Sequence, residues 1–179
     1  MTKTRWMMFG LLATVLAACA SAPESRADQQ SLQAEADATL ARMVGRDDSL
    51  RALVARAPGY AVFPSITSAG FVVGGTGGVG VVYENDVVVG FAELTGGSIG
   101  AQIGGQTFSE LIVFETPEAL TRVRAGNFDL SADASATAIR TGAAATATFR
   151  NGTAVFIDDE SGMMASATVG GQSINFTAK

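Results

Sequence analysis

A series of short apolar runs separated by glycines, between residues 59 and 114, is the feature that most constrains the fold. The runs are rich in valine, isoleucine and aromatic residues, and they lie at Tyr60–Phe63, Gly70–Val73, Val79–Tyr83, Val87–Phe91, Ile99–Ile103 and Leu111–Phe114. Such runs predict β-strands, and the polar stretch Glu84-Asn85-Asp86 predicts a hairpin loop. The 21 glycines among 179 residues favour bent strands and tight turns over a helical bundle.

Helical patterns flank this region on both sides. Ser31 is predicted to cap a first helix that ends at Gly45, and a second short helix is predicted from Asp48 or Ser49 to the stop at Pro58-Gly59. Thr116 followed by proline predicts the start of a third helix.

Strand patterns resume after the third helix. In Ser131–Ala138 every second residue is alanine, which predicts a strand with a very small inner face. Asn151-Gly152 predicts a two-residue hairpin. The other predicted strands are Ala147–Phe149, Ala154–Ile157, Met163–Val169 and Ser173–Phe176. We therefore expect an α+β domain with N-terminal helices packed on a strongly bent, glycine-rich antiparallel sheet, open or closed into a small barrel, and one further helix.

The N-terminus carries the pattern of an export signal. Lys3 and Arg5 precede an apolar stretch, Trp6 to Ala18, which as a helix would span about 20 Å and is too short for the ~30 Å hydrocarbon core. The stretch ends in Leu-Ala-Ala-Cys19, which resembles the lipobox of bacterial lipoproteins. An ordinary Ala-x-Ala cleavage site beside a chance cysteine is the alternative. Because Cys19 is the only cysteine, we predict that its thiol is the lipid attachment site, carrying palmitate among its acyl chains.

These features divide the chain into three segments. Residues 1–18 are predicted to be a signal peptide, residues 19–30 a lipidated N-terminus with a flexible tether, and residues 31–179 the folded domain. Residue 20 is alanine rather than aspartate, which by resemblance to sorted lipoproteins indicates the periplasmic face of a Gram-negative outer membrane.

Composition excludes several classes of function. The chain has no histidine, which excludes imidazole acid–base chemistry and Ser-His-Asp catalysis. One cysteine excludes a disulfide scaffold and a thiolate zinc site. A net charge of −5 without a long basic run argues against nucleic-acid binding. We predict no catalytic residue, no metal site and no cofactor.

Two local motifs have plainer interpretations than the ones they first suggest. The glycines from Gly75 to Gly80 fit G-x-G-x-x-G, but a predicted hairpin follows where a dinucleotide site needs a helix. Close strand packing is the preferred interpretation. Asp158-Asp159-Glu160 is predicted to be a surface turn, because the spaced ligands of a calcium loop are missing.

Four arginines lie on the first two predicted helices, at Arg42, Arg46, Arg51 and Arg56. Near a membrane they could bind anionic lipid headgroups. The alternative is a solvated helix face that Asp37, Asp47 and Asp48 partly neutralise.

Several segments together resemble the SYLF family of lipid-binding domains. The resemblance covers roughly residues 31–176 and rests on Ala57–Ile66, Ala69–Gly75, Gly78–Val81, Ser98–Gly105, the helix Glu118–Arg124, Asn127–Leu130 and Ser161-Gly162. Eukaryotic members recognise phosphoinositides and some bind actin, whereas bacterial members are commonly exported lipoproteins. The family turn often carries lysine where this chain has Pro58, and no lysine lies between Lys3 and Lys179. The family's basic contact residues are therefore not transferred to this chain.

The resemblance implies phospholipid as the partner and implies no catalytic residues. We expect a non-enzymatic module that binds phospholipid at a membrane surface. A structural or protein-interaction module of the cell envelope, using a strand edge or the alanine-rich face, is the alternative. A carboxylate-based hydrolase is a third, although no acid stands out in the sequence.

Overall fold

A computed structural model describes residues 21–70, 73–99, 104–126, 128–129, 135–138, 142, 144–158 and 172–179. Cys19, the predicted signal peptide and the predicted strand Met163–Val169 lie outside the described residues. The part of the chain that is described contains no helix long and apolar enough to cross a membrane.

The described residues form three α-helices, one short 3-10 helix and eight β-strands. The helices are α1 (Arg26–Arg46), α2 (Asp48–Arg56) and α3 (Pro117–Arg124), and the 3-10 helix is Ala144–Thr146. The strands are β1 (Gly59–Gly70), β2 (Val73–Glu84), β3 (Val87–Ile99), β4 (Gly104–Phe114), β5 (Phe128–Asp129), β6 (Ser135–Ala138), β7 (Thr153–Asp158) and β8 (Gln172–Ala178).

All eight strands belong to one sheet in the order β5-β8-β3-β2-β1-β4-β7-β6. The sheet is strongly curled, and among the described residues its two edge strands, β5 and β6, are not paired with each other. Neighbouring strands are antiparallel except for β6 and β7, which are parallel. The predicted α+β class, with N-terminal helices on a strongly bent sheet, is confirmed.

Each face of the sheet carries its own apolar core, because alternate residues of a strand point to opposite faces. In β4, Leu111 and Val113 belong to the core beneath α1 and α2, whereas Ile112 and Phe114 belong to the core beneath α3. The sheet is thus covered on one face by the two N-terminal helices and on the other by α3. Because both faces of the central strands are buried, their sequences are nearly continuous apolar runs.

The first helix begins earlier than the sequence pattern predicts. Ser25, not Ser31, caps α1, and its Oγ accepts a hydrogen bond of 3.1 Å from the backbone N–H of Asp28. Residues 26–30, which the sequence analysis assigned to the tether, are therefore helical. Ser31 instead lies exposed within the helix and donates to Glu35. The predicted cap of α3 is confirmed, since Thr116 accepts from the N–H of Ala119 and is followed by proline.

The glycine-rich segment Gly75–Gly80 lies inside β2, and the predicted hairpin to β3 follows it instead of a helix. Close packing explains at least one of its glycines. A Cβ atom at Gly80 would lie 2.6 Å from Cδ1 of Phe63 and 2.7 Å from the carbonyl oxygen of Val62.

The turn at Asn151-Gly152 is confirmed, with both residues at positive φ, but the strand predicted before it is wrong. Residues 147–149 lie outside any strand, and the single bridge Arg150–Thr153 closes the turn.

Candidate functional site

A β-bulge in the central strand β1 borders a polar cavity at the C-terminal end of α1. The register of β1 against both neighbours shifts around Pro64, and proline has no backbone N–H to donate to a ladder. The bulge leaves the Pro64 carbonyl available, and it accepts a 2.7 Å hydrogen bond from the Ser109 hydroxyl. A sequence pattern of V-F-P inside a strand thus becomes a local break in sheet pairing.

Arg42, near the C-terminal end of α1, reaches into this break. Its Nη2 donates to Ser109 Oγ at 2.9 Å, and its Nε donates to Oδ2 of Asp158 at 3.3 Å. Arg46, one turn later, contacts the other carboxylate oxygen of Asp158. One carboxylate and one hydroxyl therefore orient two guanidinium groups.

Asp158 corrects a prediction. The three consecutive acids predict a surface turn, but Asp158 is the last residue of β7 and its side chain is only 4% exposed. The reason is its two arginine partners on α1, more than one hundred positions away in the chain. Short-range patterns carry no signal for such a pair.

The four predicted arginines, which we call the arginine surface, differ in their surroundings. The structure brings Arg42 and Arg46 together at Asp158, whereas Arg51 and Arg56 lie on the adjoining helix α2 and do not line the same cavity. The side chains of Arg42 and Arg46 remain 46% and 48% exposed although they are paired. A cavity of about 440 Å³ opens beside them, bordered also by Thr107 and Phe108. Arg51 and Arg56 on α2 are exposed, and no described residue lies within hydrogen-bonding or ion-pairing distance of either. The four arginines stand against three carboxylates, those of Asp158 and of Asp47 and Asp48 at the helix junction, which leaves a formal excess of one positive charge.

Asp47 fixes the junction between α1 and α2. It is almost completely buried, caps α2 through Ser49, and accepts hydrogen bonds from the N–H groups of Gly142 and Ala144. Burial would raise the pKa of this carboxyl, but the hydrogen bonds from Ser49, Ala144 and Gly142 outweigh it and lower the pKa below its usual value. The ionised form thus holds the helix junction against the segment before β7.

A stacked tyrosine pair joins α1 to the hairpin end of the sheet. The rings of Tyr60 and Tyr83 lie 4.8 Å apart. Tyr60 donates to Asp86 at 3.0 Å, and Tyr83 donates to Asp37 of α1 at 2.7 Å. Burial, followed by these carboxylate partners, raises the pKa of both phenols. The pair therefore stays neutral, and it fixes the position of α1 over β2.

Glu110 is the acid that the sequence analysis missed. Its side chain is fully buried on β4, opposite Phe63 and Ile157, and no described residue donates to either carboxylate oxygen. Burial raises its pKa from 4.5 to about 8. The alternation Phe108-x-Glu110-x-Ile112 could have indicated this buried acid, because in a strand it places the carboxyl on the same face as two apolar side chains.

The segment before α1 lies on the sheet. The N–H of Ala22 donates to Oε1 of Glu93 on β3, Ala22 packs against the core beneath α1, and the Pro23 carbonyl accepts from Gln29. Cys19 lies outside the described residues, so the structure does not test its predicted acylation. Within those residues, no group of three or more acidic or cysteine side chains could hold a metal ion.

Comparison with known proteins identifies one family. Residues 95–178 match the family described as Ysc84, Las17-binding protein actin regulator. This match covers just under half of the chain, and it confirms the resemblance to the SYLF family noted in the sequence. No curated protein matches the chain.

Proposed function

We propose that this chain, whose C-terminal half matches the SYLF family, is a non-enzymatic, exported lipoprotein that binds anionic phospholipid. In this proposal Cys19 is acylated and holds the protein at the periplasmic face of an outer membrane. The arginine surface makes the contacts with phospholipid headgroups.

The arginine surface is the observation that supports phospholipid binding. Asp158 and Ser109 hold Arg42 and Arg46 in fixed positions while leaving half of each side chain accessible. Planar guanidinium groups match phosphate oxygens in bidentate geometry. Each basic residue near an anionic membrane surface contributes about 1 kcal/mol. Several arginines together are therefore needed for measurable binding.

The anchor and the arginine surface supply different kinds of attachment. One acyl chain gives only marginal membrane binding, whereas the two or three chains of bacterial lipoproteins make it nearly irreversible at about 0.8 kcal/mol per buried methylene. The arginine contacts are weak and reversible, and salt screens them over about 10 Å at 0.1 M ionic strength. The arginine surface thus selects lipid, and the anchor sets location.

Vesicle flotation tests the proposal. The chain from residue 20 onward, which carries no acyl group, should float with vesicles that contain phosphatidylglycerol and stay behind with phosphatidylcholine alone. High salt should abolish the flotation. Arg51→Gln/Arg56→Gln should weaken binding severalfold. Arg124→Gln/Arg150→Gln carries the same charge change outside the arginine surface, on α3 and in the turn before β7, and should not. Failure of the unsubstituted chain to float with anionic vesicles would disprove phospholipid binding.

An envelope protein is the alternative partner. The edge strand β6 is short, with four described residues, and pairs with β7 alone among them, so an added strand could extend the sheet there. Crosslinking in intact cells distinguishes the two proposals. A trapped protein together with unchanged flotation in the arginine variant would favour the protein partner.

A further inference from the structure

The segment that precedes α1 leaves very little chain for a tether. Ala22 is held by Glu93 and by the core beneath α1, and Ser25 already caps the helix. Only three peptide units separate Ala22 from Cys19, and a chain of three residues spans at most about 11 Å. An acyl anchor on Cys19 would therefore place the bilayer surface against the N-terminal end of α1.

The arginine surface begins at the other end of the same helix. From Arg26 to Arg42 the helix rises about 24 Å, at 1.5 Å per residue. Arg46 follows within the last turn, and Arg51 lies on the helix that begins at that end. The short tether is less than half of this distance.

The end of α1 next to the anchor has the opposite charge. Glu24, Asp28 and Glu35 are exposed there and outnumber the exposed Arg26, and Glu93 is in contact with Ala22 at the same end. If α1 lay flat on an anionic leaflet, these carboxylates would meet the same headgroups as the arginines and oppose binding. Contact through the arginine end alone avoids this repulsion.

We propose that the arginine surface of the anchored protein binds an anionic bilayer in trans, that is, a membrane other than the one that holds the acyl chains. This inference rests on the proposed function, because it assumes both the anchor and phospholipid binding. It adds that the short N-terminal segment, held by Glu93, orients the domain so that one chain bridges two lipid surfaces.

Vesicle capture tests the bridge. The acylated chain is reconstituted in sucrose-loaded vesicles that contain phosphatidylglycerol, so that anionic lipid is equally available to it in its own membrane, and fluorescent vesicles of the same lipid composition are added without protein or sucrose. Sedimentation of the sucrose-loaded vesicles should carry the fluorescent vesicles down with the anchored protein. Arg51→Gln/Arg56→Gln should reduce this capture at least fivefold, and the matched pair Arg124→Gln/Arg150→Gln should leave it within twofold.

A fluorescent label shows which membrane the arginine end touches. Gly45 lies between Arg42 and Arg46, and a Cβ atom there would meet nothing within 4 Å, so Gly45→Cys accepts a thiol-reactive dye once Cys19 is acylated. Nitroxide lipids in the added anionic vesicles should quench the dye. Nitroxide lipids in the anchor-bearing vesicles should not.

The outcomes separate the two proposals. Quenching from the anchor-bearing vesicles, or no capture by a chain whose unacylated form floats with anionic vesicles, would overturn the bridge and leave phospholipid binding intact. If the unacylated form binds no anionic vesicles, the proposed function fails and the bridge fails with it.

Discussion

Replacing Glu110 by glutamine tests whether a neutral acid is buried in the sheet. The side chain lies between Phe63 and Ile157 in the strand register, without a described donor. Burial raises its pKa from 4.5 to about 8, so the folded protein retains a proton at neutral pH that the unfolded chain releases.

The sign of the pH dependence follows from this difference. Between about pH 4.5 and pH 8 the unfolded chain binds one proton fewer than the folded protein at this site, so the free energy of unfolding falls by about 1.4 kcal/mol per pH unit. The contribution of Glu110 is complete below about pH 4.5 and is lost as the pH rises through about 8. Over the whole interval the loss is about 5 kcal/mol, and at pH 7 it is about 3 kcal/mol.

Glu110→Gln removes the titration while keeping the size of the side chain. We expect its stability relative to the unsubstituted protein to increase by about 4 kcal/mol between pH 5 and pH 8. Urea unfolding at several pH values, followed by far-UV circular dichroism, measures this, since the only tryptophan, Trp6, lies in the predicted signal peptide. Glu115→Gln, at an exposed position just after the same strand, is the matched control.

A constant difference between Glu110→Gln and the unsubstituted protein across this pH range would refute the reasoning. It would mean that the carboxyl ionises in the folded state at its ordinary pKa, with a donor or water beside it. Parallel curves for Glu115→Gln are required in either case.

Three further substitutions test the packing around the site by the same unfolding assay. Asp47→Ala should cost about 2–3 kcal/mol at neutral pH, because it removes the cap of α2 and leaves buried N–H groups unpaired. The cost should shrink as the pH falls from the usual aspartate pKa through the lowered pKa of Asp47 in the folded protein, below which the carboxyl is protonated in both states. Gly80→Ala should cost about 1–3 kcal/mol, because the added methyl group would overlap Phe63 and a backbone carbonyl. An unchanged urea midpoint of unfolding would show that β1 and β2 can move apart to accommodate it. Tyr83→Phe should cost about 1.5–3 kcal/mol through loss of the hydrogen bond to Asp37. An ordinary hydrogen bond contributes about 1 kcal/mol, so a cost below about 0.5 kcal/mol would show that water replaces the phenol as the donor to Asp37.

The strands and helices were largely predictable because their signals are local. The valine run at Val87 follows a turn whose residues, Asn85 and Asp86, adopt the positive φ that such a hairpin needs. Thr116 and the following proline mark a helix start with three residues. The predicted strand boundaries were less accurate, because β2 and β3 continue through glycines that lie outside the predicted strands. In a curled sheet those glycines permit close approach instead of ending the strand.

The arrangement of the arginine surface could not be predicted, because it depends on contacts distant in sequence. The composition of α1 and α2 was sufficient to single out four arginines, but the partner of Arg42 and Arg46 comes from β7, and the hydroxyl beside it comes from β4. The pairing of β4 with β7 places Ser109 opposite Asp158, and the bulge in β1 adds the Pro64 carbonyl beside them. A surface turn at Asp158 was a reasonable prediction from three consecutive acids, and tertiary pairing overrode it.

This pairing also changes how much charge the arginine surface can offer to lipid. Asp158 is held by two guanidinium groups and offsets one of their charges. With Asp47 and Asp48 at the helix junction, the formal excess on the arginine surface is one positive charge. Removing Asp158 would add a charge but would also release Arg42 and Arg46 from their fixed positions, which raises the entropy lost on binding. Arg51 and Arg56, by contrast, have no ion-pair or hydrogen-bond partner among the described residues, so their contacts with lipid do not depend on such a partner to position them. The salt dependence of vesicle binding should therefore change more on substitution of the α2 arginines than on substitution of the α1 pair.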